Sequence, residues 1–225
     1  MSDLSVVNVN RLVSETDYWG DVQTPYGKLY LAGNDDGIAL RFHHGYEYEP
    51  ESLAWWSKRC QHATAVDVGA HTGLYTLAAY GAGVISVDSF EPYYLNMARM
   101  NMNLRLNGWP VKRCHFSAAA SKAGFIRFSV FGHPHHCSTG GHIGVNPKFI
   151  SSMVPCCRLD DVVTSADVVK IDVEGHACEV LDGMTRLLES RPALLIEESP
   201  GLEPRLRALG YSIQRLDDRN VAATV

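Results

Sequence analysis

From Ala63 onward, short apolar runs alternate with stretches in which apolar residues recur every three or four positions. Ala65-Val66-Asp67-Val68 ends in a glycine, and Val84-Ile85-Ser86-Val87, Val168-Val169-Lys170-Ile171 and Ala193-Leu194-Leu195-Ile196 have the same form. Runs this short, bounded by turn residues, predict buried strands. Between them, Leu74, Leu77 and Ala78 lie at helical spacing until Gly81 and Gly83. Pro92 follows Glu91 as a good first helical residue, and Leu95, Ala98, Met102 and Leu106 share one face until Gly108. His115-Phe116 heads a third strand, and Phe125 to Phe131 alternates in the manner of a half-exposed one. One helix carrying Val180, Leu181, Met184, Leu187 and Leu188 follows Ile171. Leu202, Leu206 and Leu209 predict a last helix stopped by Gly210, with Tyr211 to Leu216 returning as a strand. Repeated strand–helix units of this length predict an α/β fold, a parallel sheet with helices on both faces.

The first 60 residues read differently. Pro25-Tyr26-Gly27-Lys28 is a turn signal before Leu29-Tyr30-Leu31, and Asn34-Asp35-Asp36-Gly37 is another before Ile38-Ala39-Leu40. Together they predict a small antiparallel hairpin, followed by a helix near Glu51 to Lys58 carrying Trp55 and Trp56. Residues 1–60 are therefore expected to form a β/α cap on a main unit spanning 61–225.

Composition narrows the class without naming it. A hydrophobic content of 46% in 225 residues suits a globular chain, and a net charge of −5 supplies no field to attract nucleic acid. No run approaches the ~18 apolar residues of a membrane span. Met1 to Asn10 lacks a basic start and an apolar signal core, so a cytoplasmic location is expected. None of the six cysteines forms a C-x-x-C pair, and most are expected to be small buried hydrophobes.

The chemistry gathers where apolar runs end. Asp67-x-Gly69-x-x-x-Gly73 is a tight glycine turn from strand to helix, Glu91 ends the next strand, and Asp172 and Glu174 end a later one. In an open parallel sheet, ligands bind beyond the carboxyl ends of the strands. Gly69 removes a Cβ from the path of a ligand, and Gly73 lets the helix start close to the strand. Three glycines at dinucleotide spacing are absent, as is a Lys-Ser/Thr ending, so a pyrophosphate is not expected. Glu91 lies 24 residues after Asp67, near the ~20-residue spacing of a ribose-binding acid, and a carboxylate there can accept from both ribose hydroxyls. S-adenosylmethionine is the common nucleoside cofactor without a pyrophosphate. Asp67 is expected to organise the turn and reach the ammonium of the cofactor's methionine end.

At these residues the chain resembles the FkbM-type family of S-adenosylmethionine-dependent methyltransferases. The resemblance rests on Val66 to Gly73, Phe90-Glu91-Pro92, Lys170 to Gly175, Arg158-Leu159-Asp160-Asp161 and Tyr48-Glu49-Pro50-Glu51, and covers roughly residues 46 to 212. It implies a Rossmann-like methyltransferase fold with a seven-stranded, mostly parallel sheet, and methyl transfer to a hydroxyl of a sugar, polyketide or other small metabolite. It implies that Asp67, Gly69, Ala70, His71 and Gly73 shape the cofactor turn, Glu91 takes the ribose, Ser117 and Ala118 flank the adenine, and Asp172 and Glu174 lie at the reaction end. His71 stands where the family often has asparagine, and Ser121-Lys122 replaces its usual acid beside the adenine.

A neutral hydroxyl is a poor nucleophile, so a base in contact with it should contribute ~10²–10⁴-fold. The candidates are Asp172, Glu174 and Glu197, with His142 if the glycine-bearing loop around it closes over the acceptor; capping of the following helix is the competing role for Glu174. His133-Pro134-His135-His136-Cys137 matches no common structural zinc spacing, and no metal is expected. Tyr46, Tyr48, Trp55 and Trp56 line an acceptor pocket or seat the cap. N-methylation, and a binding protein without turnover, are the rival readings. The expected partner is a small-molecule acceptor, with neither nucleic acid nor membrane.

Overall fold

A computed structural model describes residues 18–33, 35–130, 141–144 and 150–225. Its central sheet is built from β3 (Thr64–Val68), β4 (Ser86–Phe90), β5 (Cys114–His115), β10 (Val168–Ile171), β11 (Ala193–Glu197), β12 (Ser212–Arg215) and β13 (Asn220–Thr224), in the order β12-β13-β11-β10-β3-β4-β5. The strands from β11 to β5 are parallel, and β13 pairs antiparallel with both β11 and β12. The chain leaves β3 toward β4 on one side and later returns to β10 on the other. The crevice at this reversal of strand order is where an open α/β sheet takes its ligand.

Strand alternation divides the core into two layers. Ala65, Val87 and Val168 face α3 (Leu74–Gly81) and α4 (Tyr94–Leu106), whose Leu74, Leu77, Met100 and Leu104 pack beneath them. Val66, Val68, Val169 and Ile171 face the opposite layer, formed by α5 (Leu159–Val162), α6 (Ala177–Asp182), α7 (Thr185–Glu189) and α8 (Leu202–Ala208) through residues such as Leu159, Val180, Leu187 and Leu206. Asp67 and Lys170 are neighbours across the β3–β10 ladder and point to the first layer.

The N-terminal region departs from expectation in one respect. The hairpin pairs β1 (Trp19–Thr24) with β2 (Gly27–Ala32), while Ile38-Ala39-Leu40 belongs to helix α1 (Gly37–His43). Asp36 decides this: its side chain accepts from the amides of Ile38 and Ala39 at 2.9 and 3.3 Å, an N-cap in place of a hairpin turn. Helix α2 (Pro50–Cys60) follows, and Trp56 is wholly buried in the first core layer with its indole N–H donating to the Tyr75 carbonyl at 2.9 Å. The hairpin is seated by α4. Asn103 and Asn107 accept from the amides of Tyr30 and Lys28, both at 2.8 Å, because four helical residues (~6 Å) match two strand residues (~6.6 Å).

Two further features lay beyond the sequence pattern. A second sheet, ordered β6-β9-β7-β8, joins β6 (Ala118–Ala119), β7 (Gly124–Val130), β8 (His142–Ile143) and β9 (Ile150–Cys157) beside the crevice. The single helix expected after Ile171 is broken into α6 and α7 at Gly183, where a Cβ would lie 2.1 Å from the Ala120 carbonyl oxygen. Asp160 then caps α7, accepting from the amides of Arg186 and Leu187 at 3.0 and 3.1 Å, which gives the Arg158-Leu159-Asp160-Asp161 stretch a structural role. No helix among the described residues is long and apolar enough to cross a membrane.

Candidate active site

The ends of β3, β4 and β10 open into a cleft. Gly69, Ala70 and His71 line it from β3, Glu91 and Pro92 from β4, Asp172, Val173 and Glu174 from β10, and Ser117 and Ala118 from the second sheet. With β3 between β4 and β10, Glu91 and Asp172 are two strand spacings apart, ~10 Å. Asp67 and Gly73 shape the turn from behind and do not reach the wall.

Gly69 is required for a reason different from the one expected. Its φ is +74°, and a Cβ there would lie 1.8 Å from the Asp172 carbonyl oxygen. The missing side chain therefore admits the backbone of the neighbouring loop and fixes Asp172 against the turn. His71 also holds a left-handed φ of +52°, which aims its amide at Glu91.

Glu91 is 4% exposed, yet its carboxylate lines the cleft. Its two oxygens accept separately, Oε2 from the His71 amide and Oε1 from the Tyr93 amide, both at 2.8 Å, and Oε1 also accepts from the Asn96 side-chain amide at 3.4 Å. Burial outweighs these bonds and pushes its pKa to about 7. Oε2 keeps an acceptor direction for a donor from the cleft, and on Oε1 the long Asn96 bond is the one such a donor would compete with.

Lys170 was read only as part of a strand and as the head of the Lys170 to Gly175 motif, with no role of its own. Its ammonium lies 3.5 Å from Asp67, 3.3 Å from Asp172 and 4.7 Å from the centre of the Tyr75 ring, and donates to the Gly69 carbonyl at 3.3 Å. Burial works against its charge, but Asp172, Asp67 and Glu49 hold it protonated above the ordinary lysine range. Asp67 is fully buried, accepts from the Thr76 hydroxyl at 2.8 Å and does not face the cleft. Burial raises its pKa in spite of Lys170, and the ammonium serves Asp172 more strongly. Asp172 has a side chain 24% exposed; burial would raise its pKa, yet Lys170 and then Arg219 hold it below the ordinary aspartate value. A carboxylate so held is an anion at neutral pH and a weak base.

Glu174 is different. It lines the cleft in a left-handed conformation, φ +47°, and burial, then Glu197 and Asp172, raise its pKa to about 7. Glu197 stands behind it, off the cleft wall, and accepts from the Glu174 amide at 3.2 Å. Burial, then Asp172, raises the Glu197 pKa as well. Arg219, on the turn into β13, pairs with Glu197 and reaches to 3.6 Å from the Glu174 carboxylate. The sequence carried no sign of Arg219, because β13 was not foreseen.

Ser117 Oγ donates to the Ala118 carbonyl at 3.0 Å, and Phe128 and Ile143 complete this side of the cleft. Tyr48 reaches the cleft, Tyr46 is exposed, and Trp55 packs against the first core layer. His142 pairs through its backbone register with Ser129; its side chain, and residues 133–137 of the histidine cluster, lie outside the described residues.

A family model described as the methyltransferase FkbM domain matches residues 67–213. The hexuronic acid methyltransferase AglP of Haloferax volcanii is 29% identical over 184 residues, covering 78% of this chain and 66% of that protein. Among solved structures, methyltransferase FkbM from Methylobacillus flagellatus aligns with a TM-score of 0.57 and 17% identity over 96% of this chain and 57% of its own. The Pyrococcus abyssi tRNA (uracil-54, C5)-methyltransferase, crystallised with S-adenosyl-L-homocysteine, aligns with a TM-score of 0.55 and 10% identity over 92% of this chain and 44% of its own. At such identities the two structures establish the Rossmann-like methyltransferase fold alone. The chain spans about two thirds or less of the length of each of these proteins.

Proposed function

The chain belongs to the FkbM methyltransferase family, and from that premise we propose that it methylates a sugar hydroxyl with S-adenosylmethionine as the donor. The observation that carries this reading is the placing of Glu174, a carboxyl with a pKa of about 7 on the cleft wall beyond β10, two strands across the sheet from the end of β4 that carries Glu91. The cofactor supplies a methyl group on a positively charged sulfur. Glu91 would accept from the two ribose hydroxyls, Ser117 and Ala118 would flank the adenine, and the Asp172 carboxylate, kept ionised by Lys170, would take the ammonium of the methionine end. Glu174, with a pKa of about 7, would accept the proton that the acceptor hydroxyl loses on gaining the methyl group, the carbon–sulfur bond breaking with its electron pair left on the sulfur. A general base works best with a pKa near the working pH. An amine acceptor brings its own lone pair and has less use for such a group. The sugar class is supported by the name of the Haloferax volcanii relative, a hexuronic acid methyltransferase.

The test is transfer of label from methyl-tritiated S-adenosylmethionine to methyl glycosides of glucuronic and galacturonic acid. Glu174→Gln should lower turnover by ~10²–10⁴-fold while leaving cofactor affinity within a few-fold. Binding of S-adenosylhomocysteine without transfer to any hexuronide or hexoside would remove the sugar assignment. Full activity in Glu174→Gln would remove the base.

A further inference from the structure

Glu174 stands in a left-handed backbone conformation, φ +47°, which a non-glycine residue keeps only where its surroundings impose it. Glu197 and Arg219 supply that imposition from two directions. Glu197 ends β11, where its ladder partner is Asn220 of β13. One of its carboxylate oxygens accepts the Glu174 amide at 3.2 Å and the other pairs with Arg219. Arg219 also turns toward the Glu174 carboxylate itself at 3.6 Å.

The mount of Arg219 is rigid. Its carbonyl accepts from the Glu198 amide at 2.8 Å, its amide donates to Asp217 at 2.9 Å, and Asp217 is tied to Ser52 of α2 and to the backbone and side chain of Asn220. Three elements thus converge on one side chain: the loop after β10, the end of β11 and the turn into β13.

We propose that Glu197 and Arg219 are positioning residues for methyl transfer, Glu197 fixing the backbone of Glu174 and Arg219 holding its carboxylate toward the cleft. The proposal rests on the reading of Glu174 as the base. The charged groups facing Glu174 are Asp172, Glu197 and Arg219: the two acids disfavour its ionised form, and the guanidinium favours it. A pair that acted only on folding would change stability without moving the titration of Glu174. A pair that positions and tunes it moves that titration in opposite directions when either member is neutralised.

The experiment uses the whole protein with side-chain ¹³C-labelled glutamate, followed by NMR across pH, with Glu174→Gln assigning the Glu174 signal. In Arg219→Met the Glu174 midpoint should rise by about one pH unit, and in Glu197→Gln it should fall by a similar amount. Arg219→Lys, which keeps the charge, should return the midpoint most of the way even if Arg219→Met folds poorly. With the hexuronide assay, turnover at pH 7 should drop about tenfold in Arg219→Met, with the acid limb of the profile displaced alongside the NMR midpoint. An unmoved midpoint in both neutralising variants overturns the positioning role, even if Glu174→Gln is inactive. A fully active Glu174→Gln overturns the base while leaving the NMR result to stand as electrostatics alone.

Discussion

Replacing Glu91 by Gln separates two consequences of burying one carboxyl. The folded pKa of about 7 lies ~2.5 units above the ordinary glutamate value, equivalent to ~3 kcal/mol. Between pH 4.5 and 7 the folded protein keeps a proton that the unfolded chain has released. The stability contributed by this proton is therefore complete below pH ~4.5 and is lost as pH rises through about 7. Glu91→Gln cannot titrate, so its stability relative to the parent should improve by ~3 kcal/mol between pH 4.5 and 8. For a chain of this size that is a relative gain of ~6–12 °C in Tm. A constant cost rides on top, because one of the two amides, His71 or Tyr93, loses its acceptor oxygen, worth ~1–3 kcal/mol at every pH. Denaturation of both proteins at several pH values, without ligand, measures the difference, and subtraction cancels Glu174 and Glu49, whose pKa values are also raised. Ligand binding reverses the preference. Ribose hydroxyls donate to the ionised form, so the affinity of the parent for S-adenosylhomocysteine should rise about tenfold per pH unit below 7 and then level. The variant should bind more weakly, with a dependence flatter by that one proton. Stability curves of parent and variant that run parallel from pH 4.5 to 8 would refute the reasoning.

Other substitutions test the frame around the cleft. Gly69→Ala places a methyl 1.8 Å from the Asp172 carbonyl oxygen at a left-handed φ, so one of the two loops must move. We expect a loss of at least ~3 kcal/mol, read as a Tm fall of ~6–12 °C, together with loss of S-adenosylhomocysteine binding. Lys170→Met strands Asp67 without a counter-charge and leaves Asp172 with Arg219 alone, and should destabilise by ~3–5 kcal/mol in urea denaturation. Adding Asp67→Asn should recover part of that loss; no recovery would mean that Lys170 acts mainly through Asp172 or by packing on Tyr75.

How much of this was legible in the sequence depended on the range of the interactions. The strands β3, β10 and β11 declared themselves because each is buried on both faces and reads as an apolar run, while β4 was placed two residues early, over Val84 to Val87, because Ser86, Asp88 and Ser89 break its own apolar pattern. Glu91 and Asp172 were found because a polar residue at the end of such a run has a predictable place on the sheet. Ile38-Ala39-Leu40 was taken for a strand because three apolar residues carry no period; the deciding signal, an aspartate one residue before the helix, was present and was read as a turn. The break at Gly183 depends on the Ala120 carbonyl, 63 residues away, and no local pattern records it. The roles of Lys170 and Arg219 were missed for opposite reasons. Lys170 sat inside a hydrophobic run where charge is not expected, and Arg219 sat in a polar turn where charge is ordinary. Glu197 was placed at the right strand end, but its position behind Glu174 follows only from the sheet order and the C-terminal hairpin.

The central claim is that the cleft at the β3–β10 reversal holds an adenosine whose sugar diol is bound by Glu91. A crystal structure with S-adenosylhomocysteine tests it most directly. Both ribose hydroxyls should lie within ~3 Å of the Glu91 carboxylate, with the sulfur on the Asp172 and Glu174 side of the cleft. An adenosine bound elsewhere, or a Glu91 carboxylate touched by nothing except His71, Tyr93 and Asn96, would contradict it.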